Sequence, residues 1–322
     1  MGRNRNSFCV VRPPGHHAGV SGLLSGGESC GFCIFNNVAA GALYAISDDR
    51  LLCERCAIVD IDVHHGNGTE EIVRKCSDPD KLFFFSIHLY DNDKKKRGSN
   101  QFQYKFYPGT GSADDLAMNI VNVPIVPLWK EQPPPAPTTR THNTRQKAAR
   151  GSSDQEESPS GTPRGGRGSE SESGSTSPKV SRGLNPGSGR VAYREAIQSR
   201  LLPALRAFNP DLILISAGFD AAKGDVGNAR HERGGRERVG LDLEPEDYAW
   251  TTRKILEIAD ICCNGKVVSV LEGGYGRSVP IASPAKDGFP PLDRTIFSEC
   301  AVRHLHAMVD PYDVEKRFNP LS

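Results

Sequence analysis

The stretch Ala57 to Thr69, AIVDIDVHHGNGT, constrains the fold of this chain more than any other. Ile58, Val59, Ile61 and Val63 carry the apolar character of a buried strand, while Asp60, Asp62 and His64 occupy alternate positions. A strand has a side-chain period of two, so the spacing predicts that these three polar side chains share one face. His65-Gly66-Asn67-Gly68 then ends the strand, and Thr69-Glu70-Glu71 predicts a helix start. Two carboxylates and an imidazole on the face of a buried strand are costly to desolvate without a compensating charge. A divalent metal supplies that charge, and Asp and His ligands suit zinc. The plainer alternative is an acidic strand end in a solvated cleft.

The rest of the chain predicts alternating strands and helices. Phe8–Val11 reads as a short strand that Arg12-Pro13-Pro14-Gly15 stops, leaving His16 and His17 in the loop just beyond it. A helix is expected from about Asn36 or Asn37, and its small residues Ala39, Ala40, Gly41 and Ala42 permit close packing on a sheet. A second helix spans about 70–76. The unbroken apolar run from Lys81 to Leu89 then predicts a fully buried strand. Ile120–Val126 predicts another strand, Val191–Phe208 a helix, and Leu212–Ser216 a strand ending in Ala217-Gly218-Phe219-Asp220. Glu244-Pro245 opens a long helix to about Cys263, with proline where the first turn tolerates it. Lys266–Leu271 is a strand running into Glu272-Gly273-Gly274-Tyr275-Gly276, and a last helix covers about 294–309.

This alternation implies an α/β fold with a mostly parallel central sheet and helices on both faces. In such sheets ligands bind beyond the carboxyl ends of the strands. His16 and His17, the Asp60–His64 group, Ser86–His88, Asp220 and Tyr275 each end or follow a separate strand. Their convergence on one edge predicts a metal-dependent hydrolytic site.

Between 127 and 189 the apolar residues nearly vanish and Pro, Gly, Ser, Thr, Arg and Glu dominate. Such a segment cannot bury enough surface to offset its ordering entropy. It reads as a disordered insertion within one catalytic domain formed by residues 1–126 and 190–322. Its Ser-Pro and Thr-Pro steps at Ser158, Thr162 and Ser177 are candidate phosphorylation positions. Lys94–Arg97 is either a solvated loop or a nuclear-localisation patch. A net charge of +1 argues against binding of nucleic acid through bulk charge. No run approaches a membrane span, and the N-terminal residues lack a secretory apolar region. Nine cysteines, several inside apolar patterns, read as reduced thiols of a nuclear or cytoplasmic protein. The pairs Cys30/Cys33 and Cys53/Cys56 have the spacing of a zinc ribbon, but a helical pattern fills the interval between them and Cys56 opens the aspartate-bearing strand.

RPPGHHA, GFCIFNN, DIDVHHGNGT, SAGFD and EGGYG, in this order, resemble the signature blocks of zinc-dependent histone deacetylases of the arginase-deacetylase fold, nearest to the second-class branch. The blocks span about residues 8–276 apart from the insertion. The resemblance implies hydrolysis of the acetyl amide of N6-acetyl-lysine in histones or other proteins. It implies one catalytic Zn2+ held by Asp62, His64 and Asp220, with His17 as general base and acid. Asp60 would orient His16, Asn67 would partner His17, and Tyr275 would donate to the oxyanion. The Gly31 carbonyl, Phe32 and Tyr107 would line the channel for the acyl-lysine stem. Potassium ions near Asp60 and Ser86, chromatin substrates and a corepressor complex are further implications. The chain departs from the family in three ways. Asn67 stands where many relatives have aspartate, and Tyr107 where phenylalanine is usual. The chain also begins close to the tandem histidines, where relatives carry a longer N-terminal region with an acidic rim loop, so it reads as N-terminally short. Two other functions fit the same blocks: a deacetylase of acetylpolyamines or other small amides, and an inactive paralogue serving as a scaffold.

Overall fold

The computed structural model describes residues 5–24, 27, 29–91, 105–130, 188–231, 237–279 and 291–312. All of them fall within one compact unit. Ten strands and six helices follow in chain order among the described residues. They are β1 (Asn6–Cys9), α1 (Asn37–Ser47), β2 (Cys56–Asp60), α2 (Asn67–Arg74), β3 (Leu82–Leu89), β4 (Ile120–Ile125), α3 (Ser188–Ala196), α4 (Leu202–Phe208), β5 (Leu212–Ala217), β6 (Ala229–His231), β7 (Glu237–Val239), α5 (Pro245–Cys263), β8 (Val267–Leu271), β9 (Arg277–Ser278), β10 (Leu292–Asp293) and α6 (Thr295–Val309).

Six strands form the central sheet in the order β1-β8-β5-β2-β3-β4. Every pairing in it is parallel, so all six carboxyl ends lie on one edge. The two-residue period then sorts the apolar runs onto two faces. Ala57, Val59, Phe83, Phe85, Ile213 and Ile215 pack with residues of α3, α4, α5 and α6. Cys56, Ile58, Leu82, Phe84 and Leu214 pack with Val38 and Ala42 of α1 and Val73 of α2. This double burial is why the strands read as continuous hydrophobic runs. No helix among the described residues is long and apolar enough to cross a membrane.

Local chemistry sets the helix ends. The Asn36 side chain caps α1 by accepting from Ala39 N at 2.9 Å, which satisfies a donor that the first turn leaves orphaned. Glu244 and Asp247 form a reciprocal capping box at the start of α5, with Pro245 in the first turn.

Four sequence expectations change. The helix expected over 191–208 is interrupted by a π turn at Ile197–Leu201, just before Pro203, which has no N–H to donate into the preceding turn. The segment from Lys223 to Gly240, Gly- and Arg-rich and read from its sequence as a loop, contains the β6–β7 ladder among its described residues. The helix expected from Thr69 starts at Asn67, behind Gly66. Finally, ordered structure reaches into both ends of the low-apolar tract. Trp129 is buried and its indole N–H donates to Asp91 at 2.7 Å, and Ser188 and Gly189 already belong to α3. Residues 131–187 of that tract, with Ser158, Thr162 and Ser177, lie outside the described residues, as does Lys94–Arg97.

Candidate metal-dependent active site

The shared-strand-face expectation is corrected at its centre. β2 ends at Asp60, and Asp62 and His64 lie in bends beyond it. The side chains themselves take the chain off the strand. Asp60 Oδ1 accepts from Asp62 N at 3.1 Å, and Asp62 Oδ1 accepts from His64 N at 2.8 Å. Aspartates that bond the backbone two residues on make successive turns of this kind. Flanking strands still hold the segment, through Ile61 N to Ser216 O and Leu89 N to Val63 O.

Asp62, His64 and Asp220 each present one ligand atom, all within 4.8 Å of one another. They form the one group of His, Cys, Asp and Glu side chains among the described residues that is close enough to share an ion. The Cys30/Cys33 and Cys53/Cys56 thiols form no such group. Asp62 and Asp220 are fully buried. His64 Nδ1 lies 3.0 Å from Asp62 Oδ1 and 3.1 Å from Asp220 Oδ2, and its ring stacks on Phe106 at 5.1 Å. The second Asp62 oxygen accepts from Gly273 N at 2.8 Å, and Asp220 Oδ1 from Val63 N at 3.0 Å. Burial disfavours the imidazolium of His64, but hydrogen bonds to Asp220 and Asp62 outweigh it and push its pKa up to about 10. Burial and the adjacent Asp62 raise Asp220. Two dry carboxylates that draw this strongly on one imidazole form a donor set that fits a divalent cation such as zinc.

The tandem histidines sit beside this group in different states. His16 Nδ1 donates to Asp60 Oδ2 at 2.8 Å, and its Nε2 lies 3.8 Å from Asp62 Oδ2. Burial opposes its charge, but Asp60 and then Asp62 hold its pKa well above the usual value. His17 is driven the other way by burial, His16 and His64, well below its usual value. Its Nδ1 faces Asn67 Oδ1 at 2.8 Å. An amide oxygen only accepts, so Nδ1 carries the proton and Nε2 is free to take one. The His17 ring lies 4.0 Å from His16 and 5.9 Å from His64.

Two loops wall the approach. Gly31 and Phe32 both have positive φ, at 52° and 67°, in a turn closed by Cys33 N donating to Cys30 O. Any Cβ at Gly31 would collide with the His17 ring. The turn projects Phe32 outward with 74% exposure, and its ring lies 6.1 Å from Tyr275. Opposite, Tyr107 meets His17 edge-on at 4.9 Å, and its hydroxyl donates to Ser29 O at 2.8 Å. Tyr275 shares a corner with the candidate metal-ligand group: a Cβ on Gly227 would stand 2.7 Å from Asp220 Cβ and 2.8 Å from Tyr275 Cε2. Burial, Asp220 and Asp62 all raise the phenol, so it remains a proton donor.

The structure thus brings His16, His17, Asp60, Asp62, His64, Asn67, Asp220, Tyr107 and Tyr275 to one sheet edge. It does not bring His88 to the metal-ligand group. That residue bonds Ser86 Oγ at 2.9 Å and Gly111 O at 3.0 Å, beside His65. Sequence reading missed Phe106, Asp225 and the side chain of Glu272. Asp225 is buried and accepts from Gly227, Tyr275 and Gly276 N–H groups at 2.7–2.9 Å, while burial and Asp220 push its pKa up to about 7. The Asp-x-Gly pattern at 225–227 is a local turn signal, but nothing local shows that the same carboxylate also holds the tyrosine loop.

Residues 1–283 match the histone deacetylase domain. Histone deacetylase 15 of Arabidopsis thaliana is 30% identical over 99% of this chain and 42% of its own length. Type-2 histone deacetylase 2 of Dictyostelium discoideum is 31% identical over 96% of this chain and 13% of its own. The crystal structure of the HDA15 HD domain superposes with a TM-score of 0.55 at 28% identity, covering 96% of this chain and 57% of that one. The chain therefore spans only part of the length of these relatives. With a matching domain over most of its length and a parallel sheet of the same fold, it belongs to the histone deacetylase family.

Proposed function

We propose that this chain hydrolyses the acetyl amide of N6-acetyl-lysine in histones or other proteins, with one zinc ion held by Asp62, His64 and Asp220. The observation that carries the reading is a buried two-carboxylate, one-imidazole group with a neutral histidine directly beside it. Zinc held by these three residues would supply a lowered water pKa and Lewis acidity toward the scissile carbonyl. Every other task falls to the chain. His17 Nε2 takes a proton from the attacking water and returns it to the leaving lysine amine. Its Nδ1–H stays on Asn67, which fixes the ring and its tautomer. His16, charged and held by Asp60, places a positive charge beside the developing oxyanion. The Tyr275 phenol donates to that oxyanion. Phe32 and Tyr107 accept the aliphatic lysine stem and exclude bulk water. We extend the same reading to acetylated protein partners and a nuclear or cytoplasmic setting. A corepressor-type complex and structural potassium near Asp60 and Ser86 also belong to it.

The test is zinc content measured together with turnover of a fluorogenic acetyl-lysine peptide. One zinc per chain, with turnover that a hydroxamate chelator abolishes, is expected. Stoichiometric zinc with no turnover would overturn the enzymatic reading.

A further inference from the structure

Glu272 is fully buried, and the proposed chemistry gives its carboxylate no task. It lies at the junction of two loops that carry different catalytic groups. Its Oε2 accepts from Gly15 N at 2.7 Å and from His16 N at 3.1 Å. Its Oε1 accepts from Ser216 Oγ on the neighbouring strand end at 3.0 Å. The main chain reciprocates: Arg12 Nη1 donates to Glu272 O at 2.5 Å, and Glu272 N donates to Ala217 O at 3.0 Å. On its far side the histidine loop is held by α2, through Thr69 N to His16 O at 3.1 Å. Gly15 is wedged at the start of α1, where a Cβ would stand 2.6 Å from Phe35 O.

We propose that Glu272 is a positioning residue, a latch that sets the tandem-histidine loop against the loop that carries Tyr275 three residues on. A fully buried carboxylate is costly to desolvate, so its presence there calls for a compensating task. The two amide bonds supply one, because buried N–H groups left without an acceptor cost stability. The acid–base group and the oxyanion donor come from opposite ends of the chain, and Glu272 joins them through its side chain and backbone at once. Displacement of a catalytic group by about 1 Å costs on the order of a hundredfold in rate.

The inference rests on the deacetylase reading, and two variants test it. Glu272→Gln keeps an acceptor for the two amides without the charge, and its own N–H can donate to Ser216 Oγ in place of accepting from it. Glu272→Asp keeps the charge but is one methylene too short to reach the amides. The expected result is near-parental kcat in E272Q. In E272D, kcat should fall about 10- to 100-fold, with KM and zinc content unchanged. Hydrogen exchange of the Gly15 and His16 amides should accelerate in E272D and not in E272Q. This readout needs no turnover, so it decides the role of Glu272 even if the parent chain hydrolyses no acetyl-lysine. Full activity in E272D, equal impairment of both variants, or unchanged amide protection in E272D would each overturn the proposal.

Discussion

Gly273→Ala is the substitution that most sharply separates a metal site from an acidic cleft. A Cβ at Gly273 would stand 2.5 Å from Asp62 Oδ2 and closer still to Asp220 Oδ2, so a single methyl presses on both carboxylates of the metal-ligand group. No backbone strain confounds the change, because Gly273 is absent from the positive-φ glycines. Asp62 Oδ2 must retreat by about 0.9 Å to reach the 3.4 Å of ordinary van der Waals contact. It has little room to do so. The same oxygen accepts from Gly273 N at 2.8 Å, and its partner oxygen from His64 N at 2.8 Å.

Zinc coordination tolerates about 0.2 Å of deviation in ligand distance, so a displacement of this size should break the site. Overpacking of a dense interior costs roughly 1–3 kcal/mol. Applied to binding, that range corresponds to about a 5- to 150-fold weaker metal affinity. Gly41→Ala in α1 serves as the control. There the nearest atom to a new Cβ is Leu214 Cδ2 at 3.2 Å, the end of a flexible side chain, and replacing a helical glycine gains about 1 kcal/mol of propensity. Zinc titration with a competing chelator reads both variants. The reasoning fails if G273A binds zinc as tightly as the parent, or if G41A weakens binding to the same extent.

Three further outcomes are expected. Tyr275→Phe should retain one zinc and lose about 10²- to 10³-fold in kcat, the effect of removing one oxyanion donor; parental turnover would remove the phenol from that role. Asp220→Ala should lose the metal itself, and full zinc occupancy by elemental analysis would strike Asp220 from the ligand set. His304, buried between α5, α6 and β8, should make the fold acid-sensitive: burial pushes its pKa down to about 3, so as pH falls below the ordinary histidine value the unfolded chain takes up the proton first. Its share of stability is complete above about pH 6.5 and declines toward pH 3 by on the order of 1 kcal/mol per unit. The slope of stability against pH should therefore flatten in H304Q, and equal slopes in parent and variant would refute the assignment.

The tautomer of His304 illustrates what sequence could not supply. Thr252 Oγ1 gives its one proton to Tyr248 O at 2.7 Å, so at 2.6 Å it must accept from His304 Nδ1. Nε2 is then left to accept from Ser269 Oγ at 2.8 Å. Such a chain across three elements leaves no periodic trace in any of them. The sheet strands, by contrast, were legible, because burial on both faces writes itself as a local apolar run in β2, β3, β5 and β8. So was the convergence of polar side chains on one edge, because parallel strands deliver whatever follows them there, but only the family resemblance singled out Asp62, His64 and Asp220 among them. Trp129 was misplaced for the opposite reason: one aromatic in a Pro-rich context carries no period, and its partner Asp91 is 38 residues away. The order of the strands was equally hidden. β1 lies beside β8, one from each end of the described chain, and only nonlocal pairing brings them together.

The position of the site beyond the sheet edge explains why it holds so many buried carboxylates. Five of them, at Asp60, Asp62, Asp220, Asp225 and Glu272, are fully buried near the carboxyl ends of β2, β5 and β8. Two face the imidazole of His64, and Asp60 holds His16. The other two take backbone N–H groups from loops that have no strand to rest on. Loops beyond a sheet edge lose their ladder partners, and buried amides must find acceptors elsewhere. A carboxylate accepts several N–H groups at once, and each such bond is about twice as strong as a neutral one. The same residue type therefore serves as candidate metal ligand, as histidine partner and as loop anchor. What separates the roles is the imidazole: Asp60, Asp62 and Asp220 each face a histidine ring as well as backbone N–H groups, whereas the Asp225 and Glu272 carboxylates accept from backbone N–H groups and, at Glu272, a hydroxyl. Charge-neutral Gln should therefore replace Glu272, whereas an amide at Asp62 or Asp220 should remove the charge that draws a cation.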